Sequence, residues 1–374
     1  MKKNLLFFVA VVSMLAWASC SQDTTEMADK GGVIKFRPSV NGITRVSPTY
    51  ISNLYSFNVT GFFDEHSTNY FTNWQVNKNG NTWTPVNERF WPNTDARLSV
   101  YAYAPTTGIG TVSISKNGQT VKGFTVAERD INQIDFLATA QFGKRTDFES
   151  SGIPLRFNHA LTMIDVYARN VNTENYYIKV IGLKLVGFKS KADFTFPNAA
   201  YTTLPFELWK NATSEKSFYS DLGTNPKTSS RLLTADYQSL MSSYFMMIPQ
   251  QLTPWNKTAS KSGAYIALLM QIYSREYGSK YGNLVQIFPK KQDKYAYVAV
   301  PIDTKLLPGK KYVFRLTFME NGAGNIAPDP TNPYNPDIID PDPGPGGKEI
   351  FGGPIKVTIT VDDWTGNNYT DKDL

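Results

Sequence analysis

The segment IKVTITVDDW, residues 355–364, alternates apolar and polar side chains more cleanly than any other stretch of the chain. One face would carry Ile355, Val357, Ile359 and Val361, and the other Lys356, Thr358, Thr360 and Asp362. Because successive side chains of a β-strand point to opposite faces of a sheet, this period of two predicts a half-buried strand. The same alternation recurs in VIKFRPSV (33–40), RLSVYAYAP (97–105), LTMIDVYARN (161–170), YYIKVIGLKLVGF (176–188) and KYVFRLTFME (311–320).

Turn signals between these segments favour a fold made almost entirely of strands. Asn79-Gly80, Asn117-Gly118, Pro308-Gly309 and Asn321-Gly322 are typical of tight turns. Aromatic residues make up 14% of the chain, which suits β-structure. GAYIALLMQIYS (263–274) is apolar on both faces and predicts a central strand or a short buried helix. The best helix candidate is LLTADYQSLMSSYF (232–245), with Thr234 or Asp236 as its cap.

The length of 374 residues suits two β-sandwiches in tandem, so we predict an all-β protein with few short helices. The polar break FGKRTDFESSG (142–152) predicts the boundary between the two sandwiches. The first sandwich would comprise residues 33–150 and the second residues 151–374. Within the second sandwich, residues 321–349 are rich in proline, glycine and aspartate, which predicts an extended loop.

The N-terminus has the pattern of an export signal. Lys2 and Lys3 precede an uncharged apolar run, residues 5–18, which is too short for a permanent membrane span. Cys20, the only cysteine, follows this run directly, and the arrangement resembles a bacterial lipoprotein signal. The resemblance implies a signal peptide of residues 1–19, cleavage between Ser19 and Cys20, and acylation of Cys20. The alternative is an ordinary secretory signal with an incidental cysteine. Residues 20–32 predict a flexible tether.

Charge and motif content indicate neither nucleic-acid binding nor catalysis. Removing the signal peptide would lower the net charge from +6 to +4, too little for a nucleic-acid partner. The two histidines, His66 and His159, fall in different halves, so we expect no metal site, and no cofactor motif is present. His159 could be a catalytic base, but a histidine fixing a strand junction by hydrogen bonds is the favoured interpretation. We therefore predict no enzymatic activity.

Two other residue groups admit a binding role. Asp329, Asp337, Asp340 and Asp342 could bind calcium, but their spacing matches no calcium loop, which favours a solvated linker. Aromatic rings on an exposed face could stack sugar rings, although core packing is the favoured interpretation for each tryptophan considered: Trp83, Trp91, Trp209 and Trp255.

Taken in order, several motifs resemble the fimbrillin family, the lipoprotein-derived (type V) pilins of Gram-negative anaerobes. Beside Cys20, the resemblance is carried by VIKFRPSVNGITRV (33–46), ERFWPNTDARLSVYAYAP (88–105), INQIDFLATA (131–140), IPLRFNHALTMIDVYARN (153–170), LLPGKKYVFRLTF (306–318) and GPIKVTITVDDW (353–364). The resemblance implies two transthyretin-like β-sandwiches, export as a lipoprotein to the outer membrane, and display at the cell surface in fimbriae. It also implies head-to-tail assembly with other fimbrial subunits, and possible binding of a host protein or glycan.

Assembly in the family implies that an arginine-directed protease removes the tail and first strand, and that a strand of the next subunit fills the gap. Arg45, in a loop between Gly42 and Pro48, is the predicted cleavage site, and Arg37 is a poorer choice inside the strand. Ile355, Val357, Ile359 and Val361 are the predicted groove-filling side chains of the donor strand, although pairing of that strand within its own sandwich is equally natural.

Three roles within a fimbrium remain open from the sequence: shaft, tip and anchor. An alternative from a different class is a surface glycan-binding lipoprotein that uses exposed aromatic side chains. An enzyme is the third and weakest alternative, because no catalytic constellation can be assembled.

Overall fold

Strands dominate the computed structural model, which describes residues 31–40, 53–201, 203–221, 230–275 and 283–364. The first part of the chain forms β1 (Phe36–Val40), β2 (Ser56–Phe63), β3 (Phe71–Asn79), β4 (Thr82–Pro85), β5 (Leu98–Ala104), β6 (Thr111–Ser115), β7 (Gly118–Thr125), β8 (Leu137–Gly143), β9 (Ile153–His159) and β10 (Thr162–Asn170). The remainder forms β11 (Tyr176–Thr195), β12 (Trp209–Asp221), β13 (Arg231–Leu232), β14 (Gln238–Ser239), β15 (Phe245–Met247), β16 (Tyr265–Arg275), β17 (Leu284–Phe288), β18 (Ala296–Pro301), β19 (Lys310–Phe318), β20 (Asn325–Ile326) and β21 (Lys356–Asp363).

The helices of the described residues are four short elements. They are α1 (Arg145–Phe148) and the 3₁₀ turns Asp130–Asn132, Phe206–Leu208 and Pro336–Ile338. The prediction of an all-β fold with few short helices is therefore confirmed.

The strands form three sheets. A seven-stranded sheet has the order β1-β9-β8-β5-β2-β3-β4, and a five-stranded sheet has the order β14-β10-β19-β21 with β15 also on β10. A large sheet has the order β20-β18-β16-β11-β7-β6, with β12 and β13 also on β11 and β17 on β16. One apolar core lies between the large sheet and the other two sheets, and a second fills the inner face of the seven-stranded sheet.

The doubly apolar segment 263–274 forms the central strand that its composition predicts. β16 pairs with β11 on one side and β18 on the other. Its even-numbered apolar residues, from Ile266 to Ile272, lie in the main core, whereas Tyr265, Ala267 and Leu269 face a third cluster on the opposite side. A strand covered on both faces gains apolar burial from every residue, which explains the absence of alternation.

The proline- and aspartate-rich segment 321–349 is packed on this opposite face of the large sheet, so the prediction of a solvated linker for its acidic part, residues 329–342, is wrong. Ala327 and Ile339 are buried beside Tyr297 of β18. The fully buried Lys184 of β11 donates to the backbone oxygens of Asp329 and Thr331 at 2.9 and 2.8 Å. The apolar side chains and a buried ion pair, which composition does not reveal, attach the segment to the sheet.

The predicted helix 232–245 is also wrong. The segment instead forms β13, β14 and β15, which pair with β11 and β10. Leu240 donates its amide to Val166 of β10 at 2.9 Å, and Thr234 accepts from Asn170 at 2.8 Å. The edge of β10 offers hydrogen-bond partners that stabilise extended backbone, which overrides a weak helix preference.

Sheet membership does not follow the predicted boundary at residue 150. β9 lies beyond that boundary but belongs to the seven-stranded sheet, and the β6–β7 hairpin lies before it but belongs to the large sheet. The end of β11 pairs with β7 from Lys191 to Thr195. The division into domains of residues 33–150 and 151–374 stays a prediction.

We expect Asp329→Asn to lower the free energy of unfolding by about 3 kcal/mol, because it leaves the Lys184 ammonium buried without its counter-charge. Asp329 Oδ2 lies 3.3 Å from Lys184 Nζ, and burial already lowers the pKa of Lys184 to about 8. Lys184→Met removes the buried charge itself and should cost less, about 1–2 kcal/mol for the two lost carbonyl partners. Urea unfolding at neutral pH measures both values.

The matched control is Lys261→Ala, since exposed Lys261 also pairs with Asp329, at 3.4 Å. An exposed pair contributes at most about 1 kcal/mol. The two variants should therefore differ in their free energy of unfolding. If Lys184→Met lowers it as much as Asp329→Asn does, Asp329 does not act by compensating the buried charge of Lys184.

Candidate functional site

Residues 31–40, here called the closing segment, complete the seven-stranded sheet. β1 pairs in parallel with β9, from Phe36 opposite Ile153 to Val40 opposite Phe157. In the part of the closing segment that precedes β1, Gly31 donates to Trp91 at 2.9 Å and Ile34 donates to Arg89 at 2.8 Å. β1 also contacts β4, so the sheet curls until its first and last strands face each other. The closing segment therefore occupies a slot between β9 and residues 89–91.

Two apolar side chains of the closing segment fill the interior of the curled sheet. Ile34 is 0% exposed and Phe36 is 5% exposed. The Phe36 ring packs edge-on against its neighbours, with centroid distances of 5.5 Å to Trp74, 6.3 Å to Phe57 and 6.4 Å to Phe71. Complete burial of side chains of this size contributes about 2 kcal/mol each.

The opposite face of the closing segment is polar and faces solvent. Arg37 is exposed, and its Nε donates to the Gly152 carbonyl oxygen at 3.3 Å. The amide of Gly32 donates to Glu149, and hydrogen bonds from Arg145 and from this amide lower the pKa of the Glu149 carboxyl group. Arg37 thus lies inside β1, and its rank as the poorer cleavage site stays a prediction.

Gly152 shows how closely β9 and the closing segment approach each other. It adopts a φ of +83°, and a Cβ atom placed there would lie 3.2 Å from the carbonyl oxygen of Lys35. Only glycine adopts this conformation without a steric penalty, and it also leaves room for the neighbouring backbone.

Beyond β1, β9 has little other hydrogen-bonded support within its sheet. In the described residues its ladder with β8 includes only His159 opposite Leu137 and Asn158 opposite Ala138. Among the described ladder pairs, residues 153–157 pair only with β1. Removing the closing segment would therefore expose an unpaired strand edge beside the apolar trough of Phe57, Phe71 and Trp74. An unpaired edge of this kind is a template for another strand.

The predicted processing residues lie outside the described residues. This applies to Ser19 and Cys20 of the signal and to Arg45. The roles of all three stay predictions. Among the described residues, no helix is long and apolar enough to cross a membrane.

The candidate donor strand β21 forms one edge of the five-stranded sheet. It pairs antiparallel with β19, with Val361 opposite Tyr312, Ile359 opposite Phe314 and Val357 opposite Leu316. Its apolar side chains thus face the core side of the sheet, but only Ile355 is fully covered. Ile359 is 39% exposed and Val361 is 47% exposed. The middle of β21 therefore buries little apolar surface in its own subunit, although the strand is paired within that subunit.

His159 fixes a strand junction, as the favoured interpretation predicts. Its Nδ1 lies 3.0 Å from Asp135 Oδ1, and its ring stacks on Trp364 with centroids 4.0 Å apart. The side chain is 2% exposed. A catalytic base must reach its substrate, and an imidazole covered in this way offers no approach.

The four tryptophans considered for sugar stacking do not form an exposed platform. Trp91, Trp209 and Trp255 are buried, and Trp83 packs on the inner core of the seven-stranded sheet. The indole of Trp209 donates to Ala160 at 2.7 Å. The glycan-binding alternative therefore loses these tryptophans, whereas among the tyrosines Tyr55 is 72% exposed.

Two features of the site were missed by sequence reasoning. Residues 89–91 form the second wall of the slot, although they lie between turns and show no strand period. Trp364 anchors the end of β21. Its position directly after an alternating strand was the available signal, since an apolar side chain at a strand end often has a specific packing partner.

A model of the fimbrillin-like family matches residues 44–329, which is more than half of the chain. The chain belongs to the fimbrillin-like family. The resemblance drawn from the sequence motifs is thus confirmed. The family consists of fimbrial and cell-adhesion proteins and is not an enzyme family. No protein with a curated description matches the chain.

Solved structures similar to this chain come from Bacteroides and Porphyromonas species. A fimbrial protein from Bacteroides vulgatus is 16% identical, with a TM-score of 0.58, and the match covers 89% of this chain and 99% of that one. A candidate cell adhesion protein from Bacteroides ovatus is 15% identical, with a TM-score of 0.47 and coverages of 90% and 99%. The fimbrial anchor protein Mfa2 from Porphyromonas gingivalis is 11% identical, with a TM-score of 0.34 and coverages of 90% and 100%. Among these three, the Bacteroides vulgatus protein supports the fold.

We expect Phe36→Ala to lower the free energy of unfolding by about 3 kcal/mol, because it empties the space between Phe57, Phe71 and Trp74. Lys35→Ala is the matched control on the exposed face of the same strand and should change stability by less than about 0.5 kcal/mol. Urea unfolding of both variants measures the difference. Equal effects would show that the closing segment does not contribute to the core.

Proposed function

We propose that this fimbrillin-like protein is a structural subunit of surface fimbriae that assembles by strand complementation. Export as a lipoprotein on Cys20 would bring the chain to the outer membrane. Cleavage after Arg45 would then release the closing segment and open the slot. The observation that carries the proposal is the position of the closing segment, which pairs with residues 89–91 along its first part and with β9 along β1, and which has two buried side chains.

The opened slot would present the two features that an incoming strand can satisfy together. Residues 153–157 of β9 offer unpaired backbone groups, and the trough beside Phe57 and Trp74 offers apolar surface. Exposed edge groups and exposed apolar surface both cost free energy, and β-augmentation removes both costs.

β21 has the side-chain pattern that such a slot requires. The closing segment presents Ile34, Phe36, Pro38 and Val40 at alternating positions, and β21 presents Ile355, Val357, Ile359 and Val361. Ile359 and Val361 would gain burial by entering the slot, because both are substantially exposed in their own subunit. This gain is a driving force for leaving the edge of the five-stranded sheet.

Insertion of β21 into a neighbouring slot would be a head-to-tail contact. The donor strand β21 and the accepting edge of β9 are different surfaces of the subunit. After one contact has formed, the donating subunit still has an open slot and the accepting subunit still has a free β21. Heterologous contacts that do not close produce filaments. This geometry agrees with a fimbrial role at the cell surface, with other fimbrial subunits as the partners.

Cleavage of the purified chain with an arginine-specific protease should yield ladders of polymer, because it releases the closing segment. Arg45→Gln should stay monomeric under the same treatment, whereas Arg37→Gln should polymerise like the wild type. Gel electrophoresis without heating and size-exclusion chromatography measure the products. Polymer formation by Arg45→Gln, or a trimmed wild-type chain that stays monomeric, would contradict the proposal.

Ile359→Asp should abolish polymer formation in the cleaved chain but cost the monomer only about 1 kcal/mol, because this side chain is half exposed before insertion. An unpaired carboxylate in the apolar slot would be strongly unfavourable. Thr358→Asp, on the exposed opposite face of the same strand, is the control and should polymerise. Chromatography after cleavage, with urea unfolding of each monomer, separates assembly from stability. Polymerisation of Ile359→Asp would exclude β21 as the donor.

A further inference from the structure

The end of β21 is held by an aromatic stack that the fimbrial role by itself does not require. The Trp364 indole lies on the His159 imidazole with centroids 4.0 Å apart and planes inclined by 7°. Trp364 is 3% exposed and His159 is 2% exposed. Within the described residues, neither Trp364 Nε1 nor His159 Nε2 has a hydrogen-bond partner, so the indole is held by the ring stack and by apolar packing in the main core.

The stack is supported from both sides. Asp135 binds His159 Nδ1 at 3.0 Å and so fixes the plane of the imidazole. The backbone amide of Trp364 donates to Gly309 at 2.8 Å, and the amide of Gly309 donates to Leu161 at 2.8 Å. The end of β21 is thereby attached to the corner between β9 and β10.

The rest of β21 is held less firmly by side chains. Ile359 and Val361, in its middle, are half exposed, and Ile355 is the covered residue at the other end. The ion pairs along the strand join Lys310 to Asp363 and Lys356 to Glu320, and both lie at the surface. Surface pairs of this kind contribute little. Trp364 is therefore the largest buried side chain that retains β21.

His159 connects this anchor to the slot, because it is the last residue of β9. Residues 153–157 of β9 pair only with β1, and within the described residues β8 supports only Asn158 and His159. Loss of the closing segment would leave β9 attached at the end that carries the stack. The geometry thus places the slot and the donor strand at the two ends of one seven-residue strand.

We propose that the stack of Trp364 on His159, here called the latch, retains β21 in its own subunit and loosens when the closing segment leaves β9. This inference rests on the proposed function and adds an order of events to it. A subunit with an occupied slot keeps its donor strand, and a subunit with an open slot releases it. Premature donation by uncut subunits is thereby prevented.

Hydrogen–deuterium exchange of the uncut full chain, analysed by mass spectrometry, tests the latch. Trp364→Ala should raise amide exchange of residues 356–363 by at least about tenfold, relative to the central strand β16, because the strand end loses its stacking partner. Trp364→Phe keeps a ring on the imidazole and should remain near the wild type. Normalising to β16 corrects for any general loss of stability.

The coupling to the slot is tested in the same way. Phe36→Ala loosens the closing segment and should raise exchange of residues 356–363 severalfold relative to β16. Lys35→Ala, on the exposed face, should leave it unchanged. Unchanged exchange of β21 in Phe36→Ala would overturn the coupling.

Ile355→Ala distinguishes a latch at the Trp364 end from general fraying of an edge strand. If the latch retains the strand end, Ile355→Ala should raise amide exchange of residues 360–363 much less than Trp364→Ala does. Equal effects, or unchanged exchange in Trp364→Ala, would overturn the latch.

These readouts need no polymer. If the cleaved wild type polymerises but Trp364→Ala leaves amide exchange of residues 356–363 unchanged, the latch is disproved and the proposed function stands. If exchange responds as expected but cleavage yields no polymer, the proposed function fails and Trp364 is confirmed only as the contact that retains β21.

Discussion

Parallel pairing of β1 with β9 is the contact on which the seven-stranded sheet depends. In the part of the chain that the structure describes, the other ladder partner of β9 in that sheet is β8, at two residues, and the interior beside β9 is filled by Ile34 and Phe36 of the closing segment. Loss of a strand that supplies both backbone pairing and apolar side chains exposes the edge of β9 and the apolar interior of the sheet together. In the proposed assembly, the same dependence that stabilises the intact subunit would give a subunit without the closing segment its affinity for a replacement strand.

The period of two in the sequence predicted the strands because it reports which side chains face the core, and that depends on local geometry alone. Register, sheet order and the parallel direction of β1 depend on contacts between distant residues and could not be read from the same pattern. The segment 321–349 shows the limit most clearly. Its prolines correctly exclude strands over most of its length, but only the partners Lys184, Tyr295 and Tyr297 show that it is packed rather than solvated.

For the candidate site, the alternation of Ile34 with Phe36 and of Ile355 through Val361 was visible in the sequence, and both segments are edge strands. The sequence could not show that residues 89–91 form the second wall of the slot or that Trp364 stacks on His159. The family match covers residues 44–329 and so contains neither β1 nor β21. Family membership is therefore independent of the two strands that the proposed assembly uses, and their roles depend on the geometry of this chain.

In the proposed mechanism, cleavage near residue 45 alters no contact inside the slot. It changes the effective concentration of the closing segment, which is high while the segment is tethered to β2 and falls to its bulk concentration once it is free. An incoming strand attached to a folded subunit then competes with a dilute peptide rather than with a tethered one. Such a switch favours exchange in every subunit that has been cut, and it affects the donor strand only through the proposed loosening of β21 when the closing segment leaves β9. Control of the donor must come from contacts of β21 itself, and the buried indole at its end is placed to provide it.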